Sequence, residues 1–183
     1  MKPEDNSIRF FRGKNAFLSN FYPVMIRYEG MSFPSAEAAF QAAKSWDVRH
    51  RLACSQSSAK DAKALGRKVK LREDWEKKKI GIMYELLTEK FRNPELREKL
   101  LATGDAVLVE GNQHGDRFWG QVNGEGENWL GKLLMDVRDK IREEEAQTEG
   151  SLSCHLRVGT IRRGDSPGGR AVRPAAAGKE ETK

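Results

Sequence analysis

Cysteine and histidine are scarce in this sequence: two cysteines, Cys54 and Cys154, and three histidines, His50, His114 and His155. Two thiols offer no disulfide framework, and the histidines show no metal-ligand spacing with one another or with the cysteines, so no metal and no other cofactor is expected. Long apolar runs are missing too, none approaching the roughly 18 residues of a membrane span. The first residues, MKPEDNSIRF, contain no apolar signal segment. A cytoplasmic location without a membrane partner follows as the expectation. The net charge of +6 invites a nucleic-acid reading, but the excess of basic residues is unevenly placed. Residues 150 to 183 hold 7 Lys or Arg against 3 Asp or Glu, which leaves 33 − 7 = 26 basic and 27 − 3 = 24 acidic groups in the rest. The body is close to neutral. The segment 150–183 also has no Phe, Trp or Tyr and is dense in Gly, Ser, Pro and Arg. It reads as a disordered basic tail that cannot bury enough apolar area to offset ordering.

What is present suits one packed domain over residues 1–149: a hydrophobic fraction of 38% with four Trp and eight Phe. Ile8 to Arg12 and the alternation Val24, Ile26, Tyr28 have strand character, the second ending in a turn at Gly30. Ser58 with Asp61 opens a short helix closed by Gly66, with Arg67 directly after it. A longer helix is expected from about Asp74 to Arg92, with Asn93-Pro94 as its stop. Glu95 to Leu101 makes another, Ala106 to Val109 a compact strand, and a last helix starts at an Asn128 N-cap with Leu130, Leu133, Leu134, Val137 and Ile141 inward. Helices dominate and the strands are short and scattered, so the fold class is α+β, a mostly helical domain with a small sheet.

Three stretches carry chemistry. In FPSAEAAFQAAK, residues 33–44, Glu37, Gln41 and Lys44 recur at i, i+4 and i+7 on a helix face otherwise made of alanine and Phe40. They are either a solvated stripe or a carboxylate, an amide and an amine set into an apolar site. Ser19 and Asn20, between Leu18 and Phe21, make either a turn or the rim of a pocket. Gly111 to Asn128 holds five of the 17 glycines with aromatics among them, too glycine-rich for a helix and too aromatic for a linker. It matches neither G-x-G-x-x-G nor the P-loop pattern.

FLSNF (17–21), FPSAEAAFQAAK (33–44), Ala-Leu-Gly-Arg (64–67), TGDAVLVEG (103–111), FWG (118–120) and GENWLGKLLMDVRD (126–139) form an ordered set that resembles the NADAR family, the riboflavin-intermediate N-glycosidases. The resemblance spans residues 10 to about 143 and matches the family pattern at Asn20, Glu37, Gln41, Lys44, Arg67, Trp75, Glu110, Asp116, Trp119 and Asn128. Asn123 stands where some relatives carry an acidic residue. The resemblance implies a compact α+β fold without a cofactor. It also implies cleavage of an N-glycosidic bond in a small-molecule N-riboside phosphate or an ADP-ribosylated substrate, ADP-ribosylated nucleic acid included.

Breaking a C1–N bond builds positive charge on the sugar and negative charge on the departing nitrogen, so the site needs an anion near C1 and a proton donor near the base. On this reading Glu37, Lys44 and Asp116 are the catalytic candidates. Glu37 supplies the anion, or Lys44 attacks C1 to form an imine while Glu37 shuttles protons. Asn20, Gln41, Arg67, Trp75, Glu110, Trp119, Asn123 and Asn128 are the substrate-contacting candidates, with Arg67 meeting a phosphate and Trp75 or Trp119 stacking on the base. A core anchor is the competing reading for either tryptophan. A module that binds ADP-ribose or a related nucleotide without turnover remains the alternative function, and the sequence sets no oligomeric state.

Overall fold

Ser35 opens the helix on which the rest of the core is built. Its side chain accepts a hydrogen bond from Ala38 N at 3.1 Å, starting α1 (Ala36–Ala42), every residue of which is buried. Four alanines let neighbours approach closely on all sides, and α1 is packed by α2 (Val48–Ser55), α3 (Ala59–Gly66), α4 (Trp75–Lys90) and the hairpin β2 (Ile26–Tyr28) and β3 (Met31–Phe33). The hairpin turn is Glu29-Gly30, both at positive φ, the combination that matches the twist of the two strands.

The computed structural model describes residues 6–158, with side chains to residue 148. The chain divides into two units after Gln147, and the core lies in the first. Here β1 (Ser7–Ile8) pairs in parallel with β4 (Val107–Leu108), so two two-stranded pieces stand where one small sheet was expected. The expected strand from Ile8 to Arg12 is cut short because the chain turns at Phe10, whose carbonyl accepts from Arg12 N at 2.9 Å, and drops Phe11 into the core. A two-turn 3-10 segment, Gly13–Leu18, leads to Ser19 and Asn20. α5 (Pro94–Leu101) follows α4, with Asn93 as its cap.

α6 runs Trp129–Val158, past Gly150 into the stretch assigned to a tail. The remainder of that tail, 159–183, lies outside the described residues. Leu130, Leu133, Leu134, Val137 and Ile141 are buried, as their spacing predicts. Asn128 does not cap α6 through its side chain. At φ +54°, it donates from Nδ2 to Leu108 O at 2.9 Å and accepts at Oδ1 from Glu110 N at 3.0 Å, strapping the helix start to the end of β4. Among the described residues no helix is long and apolar enough to cross a membrane.

Candidate active site

A cavity of about 300 Å³ opens where α1, the Ser19–Phe21 segment, α3, α4 and the glycine-rich loop after β4 meet. Glu37, Gln41, Lys44, Asn20, Glu110, Asp116 and Trp119 all line it. Lys44 stands beyond the end of α1, in the following turn, yet still faces the same cavity.

Glu37 is 5% exposed; its Oε1 accepts from Gln41 Nε2 at 2.8 Å, and its backbone N–H donates to Asn20 O at 3.0 Å. Burial pushes its carboxyl above the usual range, and the Lys63 ammonium opposes that more than the Gln41 hydrogen bond or Lys44 does. Burial pushes the Lys44 amine down, with Glu37 opposing and Lys63 and Arg67 adding to the depression. Its Nζ lies 3.5 Å from Gly66 O and 5.8 Å from the Trp75 ring centroid. Glu110 is pushed up to about 7, by burial first and the Asp116 charge second. The cavity thus holds three groups whose charge states are displaced toward neutrality, a pattern common where proton transfer takes place.

The loop wall is held by two side chains. Asn112 accepts at Oδ1 from His114 N and Asp116 N and donates from Nδ2 to Asp116 O at 2.7 Å. Asp116 Oδ1 accepts from Phe118 N at 3.1 Å and Trp119 N at 2.9 Å, so half of this carboxylate organises the backbone that carries Trp119. Trp119 meets Phe40 edge-on with centroids 5.3 Å apart.

Four of the expected site residues do not line the cavity. Arg67 is the exposed C-cap of α3. Trp75 is buried behind Phe40, with centroids 5.0 Å apart, as a core anchor beneath the Lys44 ammonium. Asn123 occupies a tight turn with Gly124, both at positive φ and bracketed by the Val122–Glu125 bridge, which is a requirement of the backbone. Asn128 is the strap described above. Conversely, Ser19, Phe21, Met83, Lys63, Asn112 and His114 line the cavity, and of these only Met83 and Lys63 stood outside the stretches singled out beforehand. Asn112 sits inside the glycine-rich loop, directly after Gly111, and was not itself singled out there. Lys63 had no signal, being one of two lysines on a short amphipathic helix.

The NADAR domain model matches residues 9–142. N-glycosidase YbiA of Escherichia coli is 36% identical over 148 residues, 77% of this chain and 92% of that protein. A Nostoc punctiforme N-glycosidase is 39% identical over 132 residues, 68% of this chain and 84% of that protein. A riboflavin biosynthesis protein of Vibrio vulnificus is 40% identical over 134 residues, 70% of this chain, which spans 36% of that longer protein. The solution structure of Escherichia coli YbiA is similar with a TM-score of 0.69 and 35% identity, over 78% of this chain and 89% of that one. On the strength of a family model that covers most of its length and of relatives matched over 77% of it, this chain belongs to the NADAR domain family.

Proposed function

We propose that this chain is an N-glycosidase that hydrolyses the C1–N bond of a ribosyl-phosphate or ADP-ribosyl substrate in the α1 cavity. The observation that carries the reading is the joint placement of Glu37, Lys44 and Glu110 on one cavity rimmed by Trp119. The names of the YbiA and Nostoc relatives support the reaction class, and that of the Vibrio relative supports a riboflavin-pathway riboside.

The division of labour follows from the surroundings. Glu37 in its ionised form, which Lys63, the Gln41 hydrogen bond and Lys44 favour against the effect of burial, offsets the positive charge that develops at C1. Glu110, poised near 7, gives its proton to the departing nitrogen as the C1–N bond breaks, and water supplies the oxygen that C1 gains. In the second route a neutral Lys44 amine, favoured by its burial, bonds to C1 as the C1–N bond to the base breaks and the departing nitrogen takes a proton; the ring C1–O bond then opens, its oxygen taking the proton of the lysine nitrogen, to leave an imine that water hydrolyses, regenerating the lysine. Trp119 offers an aromatic surface for the planar base.

Incubation with a panel of N-ribosides, with mass detection of free base and sugar phosphate, tests the reading. Glu37→Gln is expected to cut turnover by about two orders of magnitude with affinity little changed. Lys44→Ala with borohydride trapping separates the routes: a trapped sugar on the wild type and none on the variant marks the imine. Full activity in both variants overturns the assignment. A wild type that binds ADP-ribose tightly but turns over nothing on the panel points instead to the binding module.

A further inference from the structure

Of the two lysines on the cavity wall, Lys44 and Lys63, Lys63 is the one that the reaction above leaves without a task. It stands in the last turn of α3 and lines the cavity together with Phe21 and Lys44. Its ammonium has no ion pair and no hydrogen bond among the described residues, and lies 5.3 Å from the Phe21 ring centroid. Lys44, on the same cavity, is no better satisfied: its single hydrogen bond, to Gly66 O, is 3.5 Å long. The two ammonium groups are close enough for the charge of one to weigh on the other. Glu37 and Glu110 act on Lys63 through space, but Glu37 Oε1 is committed to Gln41 Nε2. Two unpaired like charges in a partly desolvated cavity repel each other, and a ligand anion placed between them relieves that cost.

We propose that Lys63 forms an anion subsite that receives a phosphate group of the ligand, with Lys44 adding its charge to the subsite in the direct-hydrolysis route, where it stays protonated. The site deepens the reading above, and rests on it to the extent that this cavity is where the substrate binds. It also moves the phosphate from Arg67, exposed and off the cavity, to the opposite end of the same helical turn. The phosphate can be the monoester of a ribosyl phosphate or part of the diphosphate of an ADP-ribosyl group. At about 300 Å³ the cavity lies at the low end for small-molecule sites, which favours the monoester.

Calorimetric titration of the full chain with ribose, ribose 5-phosphate and ADP-ribose tests the subsite without requiring turnover. The wild type is expected to bind ribose 5-phosphate at least about ten-fold tighter than ribose, the advantage of a charge-assisted contact. Lys63→Met is expected to lose about ten-fold for ribose 5-phosphate and nothing for ribose, with Lys63→Arg keeping most of the gain. Lys60→Met, an exposed position on the same helix, is expected to behave as wild type. A Lys63-dependent gain seen with ADP-ribose and not with ribose 5-phosphate assigns the site to the diphosphate. Equal loss for ribose and ribose 5-phosphate in Lys63→Met means that Lys63 only balances Glu37, and overturns the proposal. No preference for either phosphorylated ligand in the wild type overturns it as well. Circular dichroism and melting of each variant verify folding, and Lys63→Gln replaces the Met variant if that one unfolds. A wild type that shows Lys63-dependent binding yet releases no base from any riboside refutes the hydrolase and leaves the subsite standing.

Discussion

Glu110 leaves β4 with its Oε2 buried and without a partner among the described residues, beside a second carboxylate, Asp116. A carboxyl held near 7 is protonated below that pH and ionised above it, so a step that needs its proton is lost as pH rises through about 7. The alkaline limb of kcat/KM is therefore expected to fall around that pH, and Glu110→Gln to remove the limb while lowering kcat. A limb that survives in the variant assigns the proton to another group. Lys90 provides the opposite case on the stability side. It is 1% exposed, donates from Nζ to Ser19 O at 2.7 Å, and burial lowers its amine to about 7, with Glu110 opposing. Between about pH 7 and its ordinary value near 10.4 the unfolded chain binds the proton that the folded one does not, so folding gains stability as pH rises through that window. Denaturant unfolding at pH 7 and pH 9 is expected to show the wild type gaining about 2 kcal/mol relative to Lys90→Met. A constant difference between the two proteins means that Lys90 keeps its charge in the fold.

The crossing of α1 and α3 is set by Gly66. A methyl group there would stand 1.8 Å from Gln41 Oε1, so the amide that orients Glu37 lies directly over this glycine. Gly66→Ala is expected to cost about 1–3 kcal/mol through overpacking and to lower turnover by displacing Gln41 from Glu37. Adding Gln41→Ala makes room for the methyl group, so the double variant is expected to be more stable than the sum of the single effects, as a double-mutant cycle measures. Additive losses mean that the two helices do not meet through this pair. The same scale shows what the sequence made legible. α3, α4, α5 and the first half of α6 were readable because each combines a cap or stop with an apolar stripe, and α1 because a carboxylate and an amide interrupt a run of alanines. α2 was not. Arg49, His50 and Arg51 leave VRHRLACS with no stripe, and only Asp47, whose Oδ1 accepts from Arg49 N at 2.9 Å, marks its start. The strands are two or three residues long, too short for alternation to distinguish a paired segment from its flanks. Lys63 and Lys90 escaped notice because both sit on helices rich in lysine, where spacing alone does not reveal which amine the tertiary packing encloses. Asn128 looked functional from its setting in a matched motif and Asn123 from standing where some relatives carry an acidic residue, and the structure gives both a backbone role.

For the molecule as a whole, the family match ends at residue 142, the first unit ends at Gln147, and the buried core runs from Phe11 to Ile141. Arg97 sets how far the helix is needed: its Nε bonds Glu145 Oε1 at 3.0 Å and its Nη1 lies 3.8 Å from Glu144 Oε2, tying α5 to α6 beyond the last core residue. A chain cut after residue 149 keeps both partners of Arg97, every core residue and the entire cavity wall. It also discards a segment with a charge balance of 7 − 3 = +4, which reduces the net charge from +6 to +2. We propose that the domain over residues 1–149 is sufficient for both fold and activity. Its melting temperature is expected within a few degrees of the full chain, about 1 kcal/mol for a domain of this size, and its kcat/KM on an N-riboside phosphate is expected to be unchanged. A cut after residue 142 removes the Arg97 partners, exposed pairs worth well under about 1 kcal/mol each, and frays the helix end behind Ile141, so a modest further loss is expected there. A larger drop on cutting at 149 than between 149 and 142 refutes this boundary. A loss of activity toward a large ADP-ribosylated substrate alone, with the small riboside still cleaved, gives the basic segment a part in holding phosphate polymers, whose signature is a steep dependence on salt.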